Sequence, residues 1–249
     1  MNQELKNSRN SQNLSINNKS VKMRPVRSYG RIKSRKLSNY KKDLLSQFLP
    51  SLLIKDIDNL EEQIELHNIN NPGAKNIIEI GAGFGDFIVA KAKKQSKNFF
   101  LAVEPHLNGV VSLLSKISED SILNLRISNQ DVRELLLTLK KPLFNEIYLL
   151  FPDPWPKKKH HKRRLINCQF LDFLANIAQK DALLTIATDE DNYKAIITTS
   201  ILENNNWHWH LESKSSWQVF PEDWTETKYQ KKAQAEGRTS IIFRLSKIN

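Results

Sequence analysis

"NIIEIGAGFGD", residues 76–86, combines an apolar run, an acid near its end and three glycines at alternate positions. A short apolar run that stops at glycines reads as a buried strand turning sharply into a helix. The spacing is G-x-G-x-G, at Gly81, Gly83 and Gly85, not the G-x-G-x-x-G of dinucleotide folds. Outward from this stretch the alternation repeats. Strands are predicted at 76–80, 99–103, 123–127, 146–151 and 182–187. Helices are predicted at 84–95, 106–118, 131–139, 166–178 and 190–203. Near-continuous apolar strands alternating with amphipathic helices imply an α/β fold with a mostly parallel, doubly wound sheet covered on both faces. The end differs. The Trp-rich segment 207–217 and TSIIFRL (239–245) read as two strands with no full helix between them, an antiparallel hairpin at the sheet edge.

Ligands of such sheets bind beyond the carboxyl ends of the strands. Five acids fall there: Glu79, Glu104, Asp131, Asp153 and Asp189, one for each predicted parallel strand. Unpaired carboxylates in a core would cost several kcal/mol each, about 3 or more, so the five are expected to line one cleft. Glu79 lies too close to the glycine loop for a pyrophosphate and suits a cation. S-adenosylmethionine carries an ammonium and a sulfonium. Glu104, 25 residues beyond Glu79, can accept both hydroxyls of a ribose. Asp131 is placed to accept from an adenine amino group.

The 249 residues suffice for one sizeable domain, and the formal charge of +11 is uneven. Residues 1–42 hold twelve Lys/Arg against a single acid, Glu4, while the rest of the chain is neutral. This predicts a basic, largely disordered arm over 1–42, a domain over 43–249, and a polyanionic partner. No run approaches the ~18 apolar residues of a membrane span, and no apolar signal region opens the chain, so a cytoplasmic location without membrane attachment is expected. The single Cys168 fits a reducing compartment and sits at a packing position in a predicted helix.

A second basic cluster follows an unusual loop in "FPDPWPKKKHHKRRL" (151–165). Here the chain resembles a known family. The glycine loop, "LAVEPH" (101–106) and "NQDV" (129–132) look like a class I methyltransferase. "DPWPKKKHHKRR" (153–164), "ATDEDNY" (187–193) and "TKYQ" (227–230) are similar to the bacterial tRNA (guanine-46-N7)-methyltransferases. The likeness runs from "RSYGRIKSR" (27–35) to about Leu245. The glycine loop is widely shared, whereas the D-P-W-P-K…K-R-R string is specific to this family.

The resemblance implies a Rossmann-like class I fold and methyl transfer from S-adenosylmethionine to N7 of guanosine 46 in tRNA. No metal and no obligate protein partner are implied. It assigns Glu79, Gly81, Gly83, Gly85, Glu104, Asp131 and Asp153 to the cofactor. It assigns Lys157, Asp189, Thr227, Lys228, Tyr229 and Gln230 to the substrate. N7 carries a free lone pair, so no proton must leave, and positive charge develops on the purine. Asp153, in a loop stiffened by Pro154 and Pro156, is the expected catalytic residue, stabilising that charge. Lys159, His160, His161, Lys162, Arg163 and Arg164 are expected to grip the RNA backbone. Trp155 either packs the loop or stacks on a base.

Two positions depart from the family pattern. Gln230 stands where Glu is usual, and an amide cannot accept from both guanine donors. Asp189 or Glu226 then supplies the missing acceptor, or guanine binding weakens. Lys159 stands where Arg is common, keeping charge but losing a planar contact. Competing readings are an amino-methyltransferase, with D-P-W-P as a variant of the Asn/Asp-Pro-Pro-aromatic loop, and a non-enzymatic RNA-binding protein on a methyltransferase fold. Adjacent His160 and His161 diverge and sit among cations, which disfavours a metal site.

Overall fold

The computed structural model describes residues 37–213 and 215–248. In chain order these residues form α1 (Asn39–Gln47), α2 (Leu49–Leu52), α3 (Ile57–Asn70), β1 (Asn76–Ile80), α4 (Asp86–Lys94), β2 (Phe99–Val103), α5 (Leu107–Asp120) and β3 (Leu125–Ser128). There follow α6 (Val132–Leu135), β4 (Phe144–Leu150), α7 (Cys168–Ile177), β5 (Ala178–Thr188), α8 (Asp191–Leu202), β6 (Trp207–Trp209), α9 (Lys228–Ala235) and β7 (Ile241–Lys247). The sheet order is β3-β2-β1-β4-β5-β7-β6. The first five strands pair in parallel, and β7 runs antiparallel to both β5 and β6. The direction of winding reverses between β1 and β4, so the ligand crevice lies over their carboxyl ends.

Side-chain alternation divides the core between the two faces. Ile78, Ile80, Leu101, Val103, Ile147 and Leu149 join α3, α7 and α8. Ile77, Phe100, Ala102 and Ile127 join α4 and α5. Every residue of β1 and β2 is buried, which explains the apolar run of β2 and the isoleucines of β1, where Asn76 and Glu79 are buried with them. A third cluster, Phe87, Leu150 and Ala187, is capped by Phe220 and Trp224 of the C-terminal segment. That segment therefore closes over the strand ends.

The expected parallel strands are present, with differences at five places. β5 starts at Ala178, directly after α7, four residues before the expected strand 182–187 and at the last residue of the expected helix 166–178. The predicted helix at 131–139 shortens to α6, which ends at Leu135 and is followed by turns from Leu136 toward Pro142. The strand at 123–127 begins two residues later, because Leu123 is exposed and Asn124 turns inward. The β6–β7 pair forms the expected antiparallel edge, but β6 is only three residues long and an eight-residue helix, α9, lies in the connection. Thr227 starts that helix by accepting from the Gln230 amide at 3.1 Å. The expected boundary at 42/43 falls inside α1, which Ser38 caps, while residues 1–36 of the expected arm lie outside the described residues.

Asn124 ties the α4 exit to β3. Its buried amide donates to the carbonyls of Ala92, Gln95 and Asn98 at 3.2, 3.2 and 2.9 Å. Asn124→Ala is expected to destabilise by about 1–3 kcal/mol, seen as a lower Tm in thermal unfolding. An unchanged Tm would mean water replaces the amide at no cost.

Candidate active site

Glu79 is the fourth residue of β1 and is 2% exposed. Burial pushes its carboxyl well above the usual carboxylate range, against the Ile88 amide at the start of α4, which favours the charged form. Its Oε2 is buried with no hydrogen-bond partner. A buried anionic oxygen without a donor is a cost that a cationic ligand group relieves.

The glycine loop bends through left-handed backbone at all three glycines. Gly83 donates its amide to Glu104 Oε2 at 2.7 Å, and His106 donates to Glu104 Oε1 at 2.7 Å. Glu104 is thus a bracket between β2 and the loop. Burial raises its carboxyl, partly offset by the two amides, with nearby Asp153 raising it further. The bracket needs Gly109, where an added Cβ would sit 2.6 Å from both Glu104 Cγ and the Gly83 carbonyl. Asp131 caps α6 and forms a bidentate pair with Arg133, at 2.9 and 2.7 Å. Burial alone would raise its pKa, but Arg133 outweighs burial and lowers it.

The loop after β4 holds Asp153 in strained backbone. Phe151 and Trp155 take left-handed φ values of 53° and 44°, a cost of about 1–2 kcal/mol each. Asp153 is open to solvent on one side, yet the surrounding protein still raises its pKa by desolvation. Trp155 packs: its ring lies edge-on to His160 and under the Arg163 guanidinium, 4.8 Å away. Lys158–Arg163 form a short 3-10 helix that leaves Lys157, Lys159 and Lys162 exposed. His160 is lowered by desolvation and by its cationic neighbours, and His161 turns back to the Pro156 carbonyl at 3.4 Å.

Arg164 corrects the sequence reading. It is 6% exposed and points into the fold rather than onto the exposed flank, with its Nη2 buried and without a hydrogen-bond partner. Its Nε donates to the Pro154 carbonyl at 2.6 Å and its Nη1 to Asn192 Oδ1 at 3.3 Å.

The "TKYQ" segment docks on the glycine loop. Asp86 accepts the Lys228 amide at 3.0 Å and also pairs with Lys116. Tyr229 then lies over Gly83, where an added Cβ would sit 3.3 Å from its ring. Burial raises the Tyr229 hydroxyl, with further contributions from Glu104, Asp153 and Asp86. Gln230 turns away from the loop and is 3% exposed, accepting from the Trp224 indole at 2.7 Å. A cavity of about 460 Å³ is lined by Trp224, Glu226, Gln230, Arg238 and Ser240, among others. Arg238 Nε approaches Asp189 at 2.9 Å without hydrogen-bond alignment.

Residues 73–243 match the family described as "Putative methyltransferase". The chain is 31% identical to the tRNA (guanine-N(7)-)-methyltransferase of Rhizobium johnstonii, over 88% of this chain and 94% of that protein. The same-named protein of Ruegeria pomeroyi is 34% identical over 86% of this chain and 92% of its own length. The chain belongs to the tRNA (guanine-N(7)-)-methyltransferase family. Among solved structures, the 16S rRNA methyltransferase KamB superposes with a TM-score of 0.55 at 12% identity, covering 79% of this chain and 96% of that one. An antibiotic-related methyltransferase gives 0.50 at 20% identity, covering 87% and 98%. At such identity these two speak for the class I methyltransferase fold alone.

Within this family member, Glu79, the three loop glycines, Glu104 and Tyr229 converge at the carboxyl end of β1, and Asp153 lies near enough to raise both the Glu104 carboxyl and the Tyr229 hydroxyl. Asp131 lies beyond β3 and is occupied by Arg133, while the basic 3-10 helix forms a separate exposed flank. Sequence reading missed Asp86, Gly109, Trp224 and Arg238. "GFGD" ends in Asp86, and that acid at the start of a helix was the one available signal; the others depend on distant contacts.

Glu79→Gln keeps the shape and removes the buried charge. A raised folded pKa makes the wild type lose stability as pH rises from the ordinary carboxylate range through the raised value. The variant is therefore expected to have a higher Tm than wild type at pH 8, and to lose that advantage toward pH 4. Its affinity for S-adenosylmethionine should fall at least tenfold. Thermal unfolding against pH and calorimetry test this, and an unchanged affinity would contradict the role.

Proposed function

We propose that this chain transfers a methyl group from S-adenosylmethionine to N7 of guanosine 46 in the variable loop of tRNA. The observation that carries the reading is the wholly buried Glu79 carboxylate, with an unpartnered oxygen beside a left-handed glycine loop, in a chain of this family. That donor set fits a ligand with a cationic head and a hydroxylated sugar. When bound, S-adenosylmethionine supplies a methyl group on an electron-poor sulfonium.

The chain's own residues do the rest. Glu79 takes the cationic end, and Glu104, while holding Gly83 and His106, keeps lone pairs for ribose hydroxyls. Asp131 sits on the adenine side with its charge balanced by Arg133. Asp153 needs to remove no proton, because N7 is already nucleophilic; its carboxylate stabilises the charge that develops on the purine. Lys157, Asp189 and the Thr227–Gln230 segment hold the nucleotide, and Lys159, His160, His161, Lys162 and Arg163 attract its backbone. Gln230 is 3% exposed with its amide oxygen on the Trp224 indole, so the exposed Glu226, which also accepts from Gln234 at 2.7 Å on the wall of the same cavity, is the acceptor offered to guanine. Under this reading the partner is tRNA, the compartment is the cytoplasm and no metal takes part. Among the described residues no helix is long and apolar enough to cross a membrane.

Two unmodified tRNA transcripts, one with guanosine and one with adenosine at the variable-loop position, test this with labelled S-adenosylmethionine. Label in the first alone, with base-labile cleavage at that site, is expected, and Asp153→Ala should abolish it while sparing tRNA binding. Label in both would point to an amine acceptor, and label in neither would defeat the reading.

A further inference from the structure

Arg164 is a buried cation spent on the loop that carries Asp153. Its Nε holds the Pro154 carbonyl at 2.6 Å, next in sequence to Asp153. Its Nη1 reaches Asn192 Oδ1 at 3.3 Å, in the first turn of α8. Its guanidinium lies 4.9 Å from the ring of Tyr193, a residue with no exposed surface. Tyr193 is itself fixed, accepting the Ile166 amide at 3.0 Å. One planar group thus joins the loop after β4 to the helix that follows β5.

The loop needs such a tie. Two non-glycine residues in it, Phe151 and Trp155, are left-handed, and strained backbone persists only where its surroundings over-determine it. The loop also lies at the sheet's switch point, where a small displacement of a carboxylate changes what it can stabilise. Asp189, at the end of β5, precedes the helix to which Arg164 is anchored.

We infer that Arg164 is a positioning residue: it clamps the Pro154 carbonyl to α8 and thereby fixes Asp153 relative to Asp189. The inference rests on the methyl-transfer reading above for its consequence, while the clamp itself is independent of it. A lysine cannot replace it, since an ammonium lacks the planar fork that reaches both acceptors.

The test compares wild type with Arg164→Ala, Arg164→Lys and Asn192→Ala. NMR order parameters of the Asp153 and Trp155 backbone amides in the free protein are expected to fall in all three, least in Asn192→Ala, which removes one exposed acceptor and covers the case in which Arg164→Ala does not fold. Turnover of tRNA should fall on the order of 10- to 100-fold in Arg164→Ala, with S-adenosylmethionine affinity and the salt slope of tRNA binding unchanged. Added guanidinium should restore part of both the order and the turnover. Wild-type order parameters at Asp153 and Trp155 would overturn the clamp. A salt slope reduced by about one would overturn it too, making Arg164 a phosphate contact. If wild type itself fails to methylate tRNA while the order-parameter results hold, the functional reading fails and the clamp stands.

Discussion

The fold turns on one side chain that a strand interior should not tolerate. Glu79 stands on β1, at the centre of the sheet, on a strand whose every residue is buried. Its neighbours Ile78 and Ile80 serve one core face, so Glu79 must face the other, beneath the start of α4. The glycine loop allows α4 to begin directly above it, and the Ile88 amide offers it partial relief. The remaining oxygen is left without a donor. A site that is electrostatically incomplete within the protein is a site built for a cationic ligand.

Around that incompleteness the other acids are managed differently, and the differences sort their roles. Glu104 is consumed structurally as well as offered, bracketing the glycine loop through two amides. Asp131 is neutralised by Arg133, and Asp86 by Lys116 and the Lys228 amide. Asp153 has the solvent on one side and a strained, tethered loop on the other. The exposed cations of 157–162 lie on the same loop but beyond it. A polyanion drawn to that flank is brought to the edge of the acid-lined crevice without having to cross it.

What could be read in the sequence was local or periodic. The apolar strands, the glycine turn and an acid at or just past each strand end are properties of short windows; of those acids, Asp131 follows the edge strand β3 and pairs with Arg133, and Asp189 lies against Arg238. Arg164 could not be read that way. In the string "KKKHHKRR" it is one cation among many, and only the fold turns it inward onto Pro154 and Tyr193. Gln230 likewise looked like a weakened guanine acceptor, whereas its oxygen serves the Trp224 indole, six residues away across a turn. The helix α9 escaped because its first residues, Lys228 and Tyr229, are largely exposed and it buries only Gln230 and Ala233. It is held by Asp86, 142 positions earlier in the chain, rather than by an apolar stripe.

Burial favours the protonated form of Glu79, and a cationic ligand head takes the place of that proton. Calorimetry of S-adenosylmethionine binding in buffers of different ionisation enthalpy measures the protons exchanged at each pH. Net proton release on binding is expected over the range in which Glu79 is protonated in the free protein, falling away at higher pH and absent in Glu79→Gln. Binding that exchanges no protons at any pH above the ordinary carboxylate range, or release that survives in Glu79→Gln, would contradict the role of Glu79.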